Sequence, residues 1–160
     1  PGHGVACTFI EPYPTRLEAL LRPTDTERVR IIRQDVQDVP LENFDVLQAG
    51  DILFLDTTHV VKTGSDVVHE VFQILPRLAS GVIVHFHDVF ADFEYPDRWI
   101  FEENRSWNEQ YLLRAFLMYN QAFEIIYANN WFFTQRRELV AARCPLIARR
   151  AGGGLGLRKR

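Results

Sequence analysis

The stretch SDVVHEVFQILPRLASGVIVHFHD, residues 65–88, decides the fold class. Its first half places apolar side chains at helical spacing, the pattern of an amphipathic helix. Gly81 then breaks the pattern, and the apolar run that follows has the length and composition of a buried strand. A helix that leads through a glycine break into such a strand is typical of α/β proteins. The helical stripe comprises Val67, Val68, Val71, Phe72 and Leu75.

Further apolar runs of strand length occur at residues 5–10, 29–36, 51–56 and 122–128, with helical patterns between them. This alternation predicts a Rossmann-like, mostly parallel sheet with helices on both faces. Residues 145–150 and 154–159 are also β-like and predict a terminal antiparallel strand or hairpin. The glycines between them, with no helix following, indicate a turn and not a phosphate-binding loop.

The composition predicts a single globular domain over residues 1–160, because 47% of the residues are hydrophobic and 12 are phenylalanine. A net charge of −3 gives no general attraction to nucleic acid or to an anionic membrane. No apolar run approaches the roughly 18 residues that span a bilayer. Two cysteines, Cys7 and Cys144, are too few for a disulfide framework. We therefore expect a cytoplasmic protein without nucleic-acid or membrane partners.

Polar side chains follow four consecutive strand-like runs at the point where each run ends. In open α/β sheets, ligands bind beyond these carboxyl ends. A single acid at such a position often caps a helix or forms a turn, and for the second of these acids that alternative stays open. The repetition over four strands is what favours a functional site. The residues are Glu11, Asp35, Asp56 with His59, and His87 with Asp88.

The residue types at these positions allow specific chemistry. A carboxylate at a strand tip can accept two hydroxyl hydrogen bonds from a ribose, the role we predict for Glu11. Asp56 and Asp88 could chelate a hard divalent cation through oxygen. His59 or His87 could be a metal ligand or a general base, and the residues alone do not separate the two roles. The neighbouring His85 is expected to be a packing residue.

Three motifs in this order resemble the class I S-adenosylmethionine-dependent methyltransferases. They are FIEPYP at residues 9–14, D-x-x-H at 56–59 and GVIVHFHD at 81–88. The similarity is to the small-molecule group in which one strand ends in D-G-x-H and the next in His-Asp. It runs from about Thr8 to the C-terminus and includes the stretch from Tyr95 to Asn120.

The resemblance implies a role for each strand-end residue. Glu11 would bind the ribose of S-adenosylmethionine, and Asp35 with Val36 would lie near its adenine. Asp56 and His59 would face the methionine part of the cofactor and the substrate. The same resemblance implies magnesium bound by acids at the ends of the fourth and fifth strands of the family's sheet. Those acids correspond to Asp56 and Asp88.

The sequence departs from this family in two places. Thr57 stands where the D-G-x-H motif has glycine, a change expected to matter little. The larger departure is that no glycine-rich first motif precedes Thr8. We therefore expect an N-terminally truncated domain whose sheet lacks its first strand. An unfilled sheet edge would favour a homo-oligomer.

Residues 90–111 are predicted to form a substrate-side insertion rich in aromatic and charged residues. These aromatics could line a lid over a small molecule or pack onto the body of the domain. Ser106 and Glu109 have the spacing of a capping box at the start of the next helix.

Three functions are compatible with these patterns. The first is methyl transfer from S-adenosylmethionine to an oxygen or nitrogen of a small-molecule acceptor, with or without magnesium. The second is a methyltransferase-like binding or scaffold module without turnover. The third is a metal-dependent hydroxylase or hydrolase that uses the acids and histidines at the ends of two strands. Its ligands would be Asp56, His59, His87 and Asp88.

Overall fold

The computed structural model describes residues 4–148 and 152–160. The chain divides into two compact units, Pro1–Asn43 and Phe44–Arg160. No helix in these described ranges is long and apolar enough to cross a membrane.

The first unit is built around two parallel strands, β1 and β2, that pair from Cys7 opposite Val29 to Ile10 opposite Ile32. Parallel neighbours need a crossover connection, and a short helix supplies it. The elements are β1 (Cys7–Ile10), α1 (Thr15–Leu20), a 3-10 turn (Pro23–Asp25), β2 (Val29–Ile32) and a second 3-10 turn (Val36–Asp38). Helix α2 (Glu42–Asp45) lies where the two units divide.

The second unit contains a four-stranded sheet in the order β3-β4-β6-β5. Strands β3 and β4 are parallel, whereas β6 runs antiparallel to both of its neighbours. The predicted α/β fold with an antiparallel C-terminal strand is therefore confirmed. The elements are β3 (Ile52–Leu55), α3 (Asp66–His69), β4 (Ile83–His87), α4 (Asp97–Phe101), α5 (Glu109–Leu117), β5 (Phe123–Ala128), α6 (Asn129–Gln135), α7 (Arg137–Arg143), α8 (Pro145–Ala148) and β6 (Gly154–Lys159).

Helix α3 continues through a π-helical turn, Glu70–Ile74, into a 3-10 turn, Leu75–Arg77. Pro76 has no N–H to donate to the carbonyl four residues before it, so regular α-helical bonding cannot pass through this position. The N–H of Leu75 instead bonds the carbonyl of Glu70, five residues back. Of the predicted stripe, Val67, Val71 and Leu75 are buried, whereas Val68 is half-buried and Phe72 is 56% exposed. The side chains that are buried are Val67, Val71, Ile74, Leu75 and Leu78.

The core of the second unit lies along one face of β4. Val82, Val84 and Phe86 are buried at every second position, and Leu155 and Leu157 of β6 are buried beside them. Because strand side chains alternate between faces, the other face carries the histidines of β4. On that face His85 stacks on Phe54 with ring centroids 5.0 Å apart, so it packs as expected.

Two glycines let the C-terminal strand approach the end of β4 closely. A Cβ on Gly153 would lie 2.9 Å from the backbone of Asp88 and Val89, which is closer than side-chain carbons tolerate. The N–H of Gly154 donates to the carbonyl of Val89 over 2.7 Å. The glycines therefore have a structural role, because they let β6 pass close to the backbone at the end of β4.

Two local predictions are wrong. Residues 145–148 form helix α8 and not a strand, and the proline at its first position is pre-organised for a helix start. The rest of that predicted strand, Arg149 and Arg150, lies outside the described residues. Ser106 does not cap α5, because Asn108 occupies the N-cap position.

Candidate functional site

The ends of the parallel strands β3 and β4 bring together three ligand-type side chains, Asp56, His59 and His87, which we call the triad. A carboxylate oxygen of Asp56 lies 3.5 Å from Nε2 of His59 and 3.4 Å from Nδ1 of His87. One nitrogen or oxygen from each of the three lies within 4.8 Å of the others. The sequence predicted all three residues, and their convergence follows from the parallel pairing of the two strands.

The backbone is unusual at both strand ends. His59 has a φ of +58° and Asp88 a φ of +54°, in the left-handed region that residues other than glycine seldom adopt. Such conformations cost free energy and occur preferentially at functional sites, where the surroundings enforce them.

His59 is held by a carboxylate that the sequence analysis had assigned to a helix cap. Nδ1 of His59 lies 2.6 Å from Oε2 of Glu109, and both side chains are buried. Because a carboxylate only accepts, Nδ1 carries the hydrogen and Nε2 of the neutral ring is left with its lone pair. That lone pair is on the atom nearest Asp56.

Glu109 raises the affinity of His59 for a proton. Burial alone would lower the pKa of His59, but the hydrogen bond and negative charge of Glu109, together with the charges of Asp88 and Asp56, outweigh it, and the net pKa is raised. The hydroxyl of Thr57 also donates to Oε2 of Glu109, over 2.9 Å. The threonine in place of glycine therefore has a role, although it was expected to matter little.

The N-terminus of α5 fixes the loop after β3. The carbonyl of His59 accepts from the backbone N–H groups of Asn108 and Glu109, over 2.9 and 3.2 Å. The Asn108 side chain accepts from the N–H of Val61 over 2.5 Å. Glu109 lies in the first turn of α5, where the helix dipole favours a negative charge.

Part of the predicted insertion, residues 90–111, packs directly against His59. The indole of Trp107 lies over the imidazole with ring centroids 4.1 Å apart. Trp99 contacts Trp107 edge-on at 5.2 Å, and the guanidinium of Arg105 lies 4.2 and 4.6 Å from the centres of these two indoles. These aromatics therefore pack on one another and on the site residue.

A second buried carboxyl, Glu70, stands in the π-helical turn and is 7% exposed. Burial, together with the negative charges of Glu109 and Asp66, raises the pKa of Glu70 to about 9. Glu70 is therefore protonated near neutral pH and adds no charge beside the His59–Glu109 pair.

A cavity of about 370 Å³ lies at the start of the insertion, and its lining residues are largely apolar. None of the described residues that line it belongs to the triad. The lining includes Phe90, Phe93, Tyr127 and Trp131.

The model of a family described as a methyltransferase domain matches residues 2–89, more than half of the 160-residue chain. The chain belongs to this methyltransferase family. The match spans the acids after β1 and β2 as well as the whole triad. A search of curated proteins and a search of solved structures each found no match.

In this methyltransferase the acids after β1 and β2 have few local partners. Oε1 of Glu11 accepts the N–H of Tyr13 over 3.0 Å. Asp35 stands at the N-cap position before Val36–Asp38, yet its side chain makes no capping hydrogen bond. Asp35 is exposed, and the Val36 that follows it is half-buried. The capping alternative for Asp35 therefore lacks the bond that would support it.

The donor set of the methyltransferase does not fit magnesium. Mg²⁺ prefers oxygen ligands in an octahedron, whereas two of the three converging groups are imidazoles. Asp88, the other acid expected to bind magnesium, lies beside the triad with Oδ1 3.4 Å from Nδ1 of His87. Its carboxylate is not one of the three groups that converge.

The sequence did not predict Glu109, Thr57 and Trp107 as neighbours of His59. Glu109 lies 50 positions away from His59 along the chain, so no spacing rule connects them. The spacing of Glu109 from Ser106 predicted a capping box, which α5 does not form. A buried acid at the start of α5 becomes informative only when its partner across the fold is known.

Proposed function

We propose that this methyltransferase transfers a methyl group from S-adenosylmethionine to an oxygen or nitrogen of a small molecule, with His59 as general base. The observation that supports this proposal is the buried His59–Glu109 pair, joined over 2.6 Å. Glu109 is a positioning residue, because it contacts the base and acts through it. General bases of this kind contribute typically about 10²- to 10⁴-fold to a rate.

The residues of the chain supply proton removal and orientation. S-adenosylmethionine, when bound, supplies a methyl group on a positively charged sulfur, which leaves as a neutral thioether. Nε2 of His59 receives the proton that the acceptor oxygen or nitrogen loses as its bond to the methyl carbon forms. The Glu109 carboxylate then stabilises the resulting imidazolium across the bond to Nδ1.

His59 suits this role better than His87. The His59 side chain is enclosed, since it is 5% exposed and packed against the indole of Trp107. His87 is 41% exposed, and its Nδ1 makes no hydrogen bond to a described residue. A base held in one tautomer and one orientation meets the geometric demands of proton transfer, and a loosely held one does not.

The cofactor contacts in this proposal follow the strand ends. Glu11 accepts the ribose hydroxyls, since Tyr13 occupies one of its oxygens and the other carboxylate oxygen has room to accept. Asp35 and Val36 receive the adenine.

A small-molecule acceptor is supported by the insertion. Trp107 packs against His59 and is itself contacted by Trp99 and Arg105. Flat apolar walls with few polar groups are typical of sites for small molecules. The alternative, a methyltransferase-like binding or scaffold module without turnover, is separated from this proposal by experiment.

Cofactor binding comes first in the test, because methyl transfer depends on it. We expect saturable calorimetric binding of S-adenosylhomocysteine that Glu11→Ala weakens at least about tenfold, with Glu27→Ala as the exposed control. A folded chain that shows no binding would favour the scaffold alternative.

Methyl transfer to a panel of phenol, catechol and amine acceptors then tests the base. His59→Gln should lower kcat by about 10²-fold or more while cofactor affinity stays within about twofold. Equal activity of His59→Gln and wild type would refute the role of His59.

A further inference from the structure

We propose that the triad is a binding site for a divalent transition-metal ion of the Zn²⁺ or Co²⁺ kind, and not for Mg²⁺. Its ligands would be one carboxylate oxygen of Asp56, Nε2 of His59 and one ring nitrogen of His87. Two imidazoles and a carboxylate are a donor set that zinc, cobalt and iron favour.

The spacing of the ligand atoms fits such an ion. Bonds of about 2.0–2.2 Å from Zn²⁺ to nitrogen and oxygen place neighbouring tetrahedral ligands roughly 3.3–3.6 Å apart. The measured separations are 3.5 Å from Asp56 to His59 and 3.4 Å from Asp56 to His87. All three atoms lie within 4.8 Å of one another, so a small side-chain rotation closes the remaining edge.

The carboxylate that would orient His59 as a ligand is already in place. Histidines that bind metals usually donate their other ring N–H to a carboxylate, which fixes the ring and raises its basicity. Glu109 accepts that hydrogen bond from Nδ1 of His59 over 2.6 Å and is itself 3% exposed. This leaves Nε2 of His59 as the ligand atom.

His87 provides an independent observation. Its Nδ1 atom is shielded from solvent and makes no hydrogen bond to any described residue, although carboxylate oxygens of Asp56 and Asp88 lie 3.4 Å away. A buried nitrogen without a partner costs free energy. An ion between this nitrogen and Asp56 would satisfy it.

The triad supplies three ligands and is open on one side. Asp56 is 56% exposed and His87 41% exposed, whereas His59 is enclosed. Three protein ligands leave a coordination position for water or for a heteroatom of a bound molecule, as in catalytic zinc sites.

This inference also bears on regulation of the proposed function. A bound ion uses the same Nε2 lone pair that would accept the proton from the acceptor, so the ion and the base role exclude each other. We therefore expect Zn²⁺ to inhibit methyl transfer. Metal binding is measured on the chain without cofactor or acceptor, so its outcome does not depend on whether methyl transfer occurs.

The test is calorimetric titration of the full chain with ZnCl₂, accompanied by the visible absorption of the Co²⁺-loaded protein. We expect one ion per chain, an affinity at least about 100-fold higher than for MgCl₂, and a Co²⁺ spectrum without sulfur-to-metal charge transfer. His87→Gln and Asp56→Asn should each weaken binding at least about tenfold, and both residues are exposed enough for the variants to fold.

His85→Gln is the matched control, because His85 lies two positions away on the same strand and stacks on Phe54 outside the triad. It should leave the affinity unchanged within about twofold. Glu109→Gln should weaken binding by about 10- to 100-fold through the ring of His59. The proposal is overturned by equal loss in His85→Gln and His87→Gln, by Mg²⁺ binding as tightly as Zn²⁺, or by a Co²⁺ spectrum that reports cysteine ligation.

Discussion

Two pairs of parallel strands in this methyltransferase end in acidic residues, and the two pairs differ in what surrounds those acids. After β1 and β2, Glu11 accepts one backbone N–H and Asp35 is exposed without a capping bond. After β3, His59 and its carboxylate partner Glu109 are buried together, and the neighbouring strand adds His87. The same sequence pattern thus gives a half-buried Glu11 and an exposed Asp35 in one unit and a fixed cluster in the other.

The difference lies in whether a second element packs behind the strand ends. The N-terminus of α5 contributes Glu109 and two N–H groups to the loop that contains His59. In the first unit, the Glu11 carboxylate accepts only from the N–H of Tyr13 among the described residues, and the Glu11 N–H donates to the carbonyl of Ile32. An acid at a strand end becomes an organised site when a distant segment fixes it.

Removing Glu109 should separate the two regions most clearly. Glu109→Ala leaves His59 buried without its partner, and breaking a buried pair costs about 3 kcal/mol or more in free energy of unfolding. Glu11→Ala and Asp35→Ala should stay within about 0.5 kcal/mol of wild type. Urea unfolding followed by circular dichroism checks both. Similar losses in all three variants would remove the distinction between the regions.

The buried Glu70 should make stability fall as pH rises. Its folded pKa of about 9 lies above the unfolded value of 4.5, so its contribution is fully present below pH 4.5 and is lost as pH rises toward 9. Glu70→Gln should gain roughly 3 kcal/mol relative to wild type between about pH 5.5 and pH 8.

The exposed Glu102→Gln is the control for this series, and unfolding free energies at several pH values supply the measurement. A constant difference between Glu70→Gln and wild type across pH would contradict a protonated buried carboxyl.

The close approach of β6 to the end of β4 predicts a smaller effect. Gly153→Ala places a Cβ 2.9 Å from the Asp88 and Val89 backbone and should cost about 1–2 kcal/mol. Gly152→Ala meets nothing within 4 Å and should be neutral. Thermal unfolding of the pair decides this, and equal melting temperatures would show that the approach can relax.

The smallest expected effect concerns Thr57. Thr57→Val keeps the shape of the side chain and removes the hydroxyl that bonds Glu109 over 2.9 Å. We expect a loss of about 1 kcal/mol, the usual net value of such a bond. An unchanged free energy of unfolding in urea would show that the Thr57 hydroxyl contributes little, as the sequence indicated.

Much of this fold is predictable because most of its strands coincide with apolar runs in the sequence. Asp56, His59 and His87 are also predictable, since the carboxyl ends of parallel strands share an edge. The exceptions have physical causes. Residues 145–148 are apolar and short, so nothing local separates a helix from a strand there. The contact between Glu109 and His59 was not predictable, because the two residues are 50 positions apart. The local spacing of Glu109 from Ser106 is that of a capping box and suggested another role.

The claim common to the proposed function and the metal site is that Glu109 holds His59 with Nε2 free. The most direct measurement is the pair of ¹⁵N chemical shifts of the His59 ring in chelator-treated protein, at a pH high enough for the ring to be neutral. We predict the neutral tautomer with hydrogen on Nδ1, and loss of that preference in Glu109→Gln. A neutral ring with hydrogen on Nε2, unchanged in Glu109→Gln, would contradict the account.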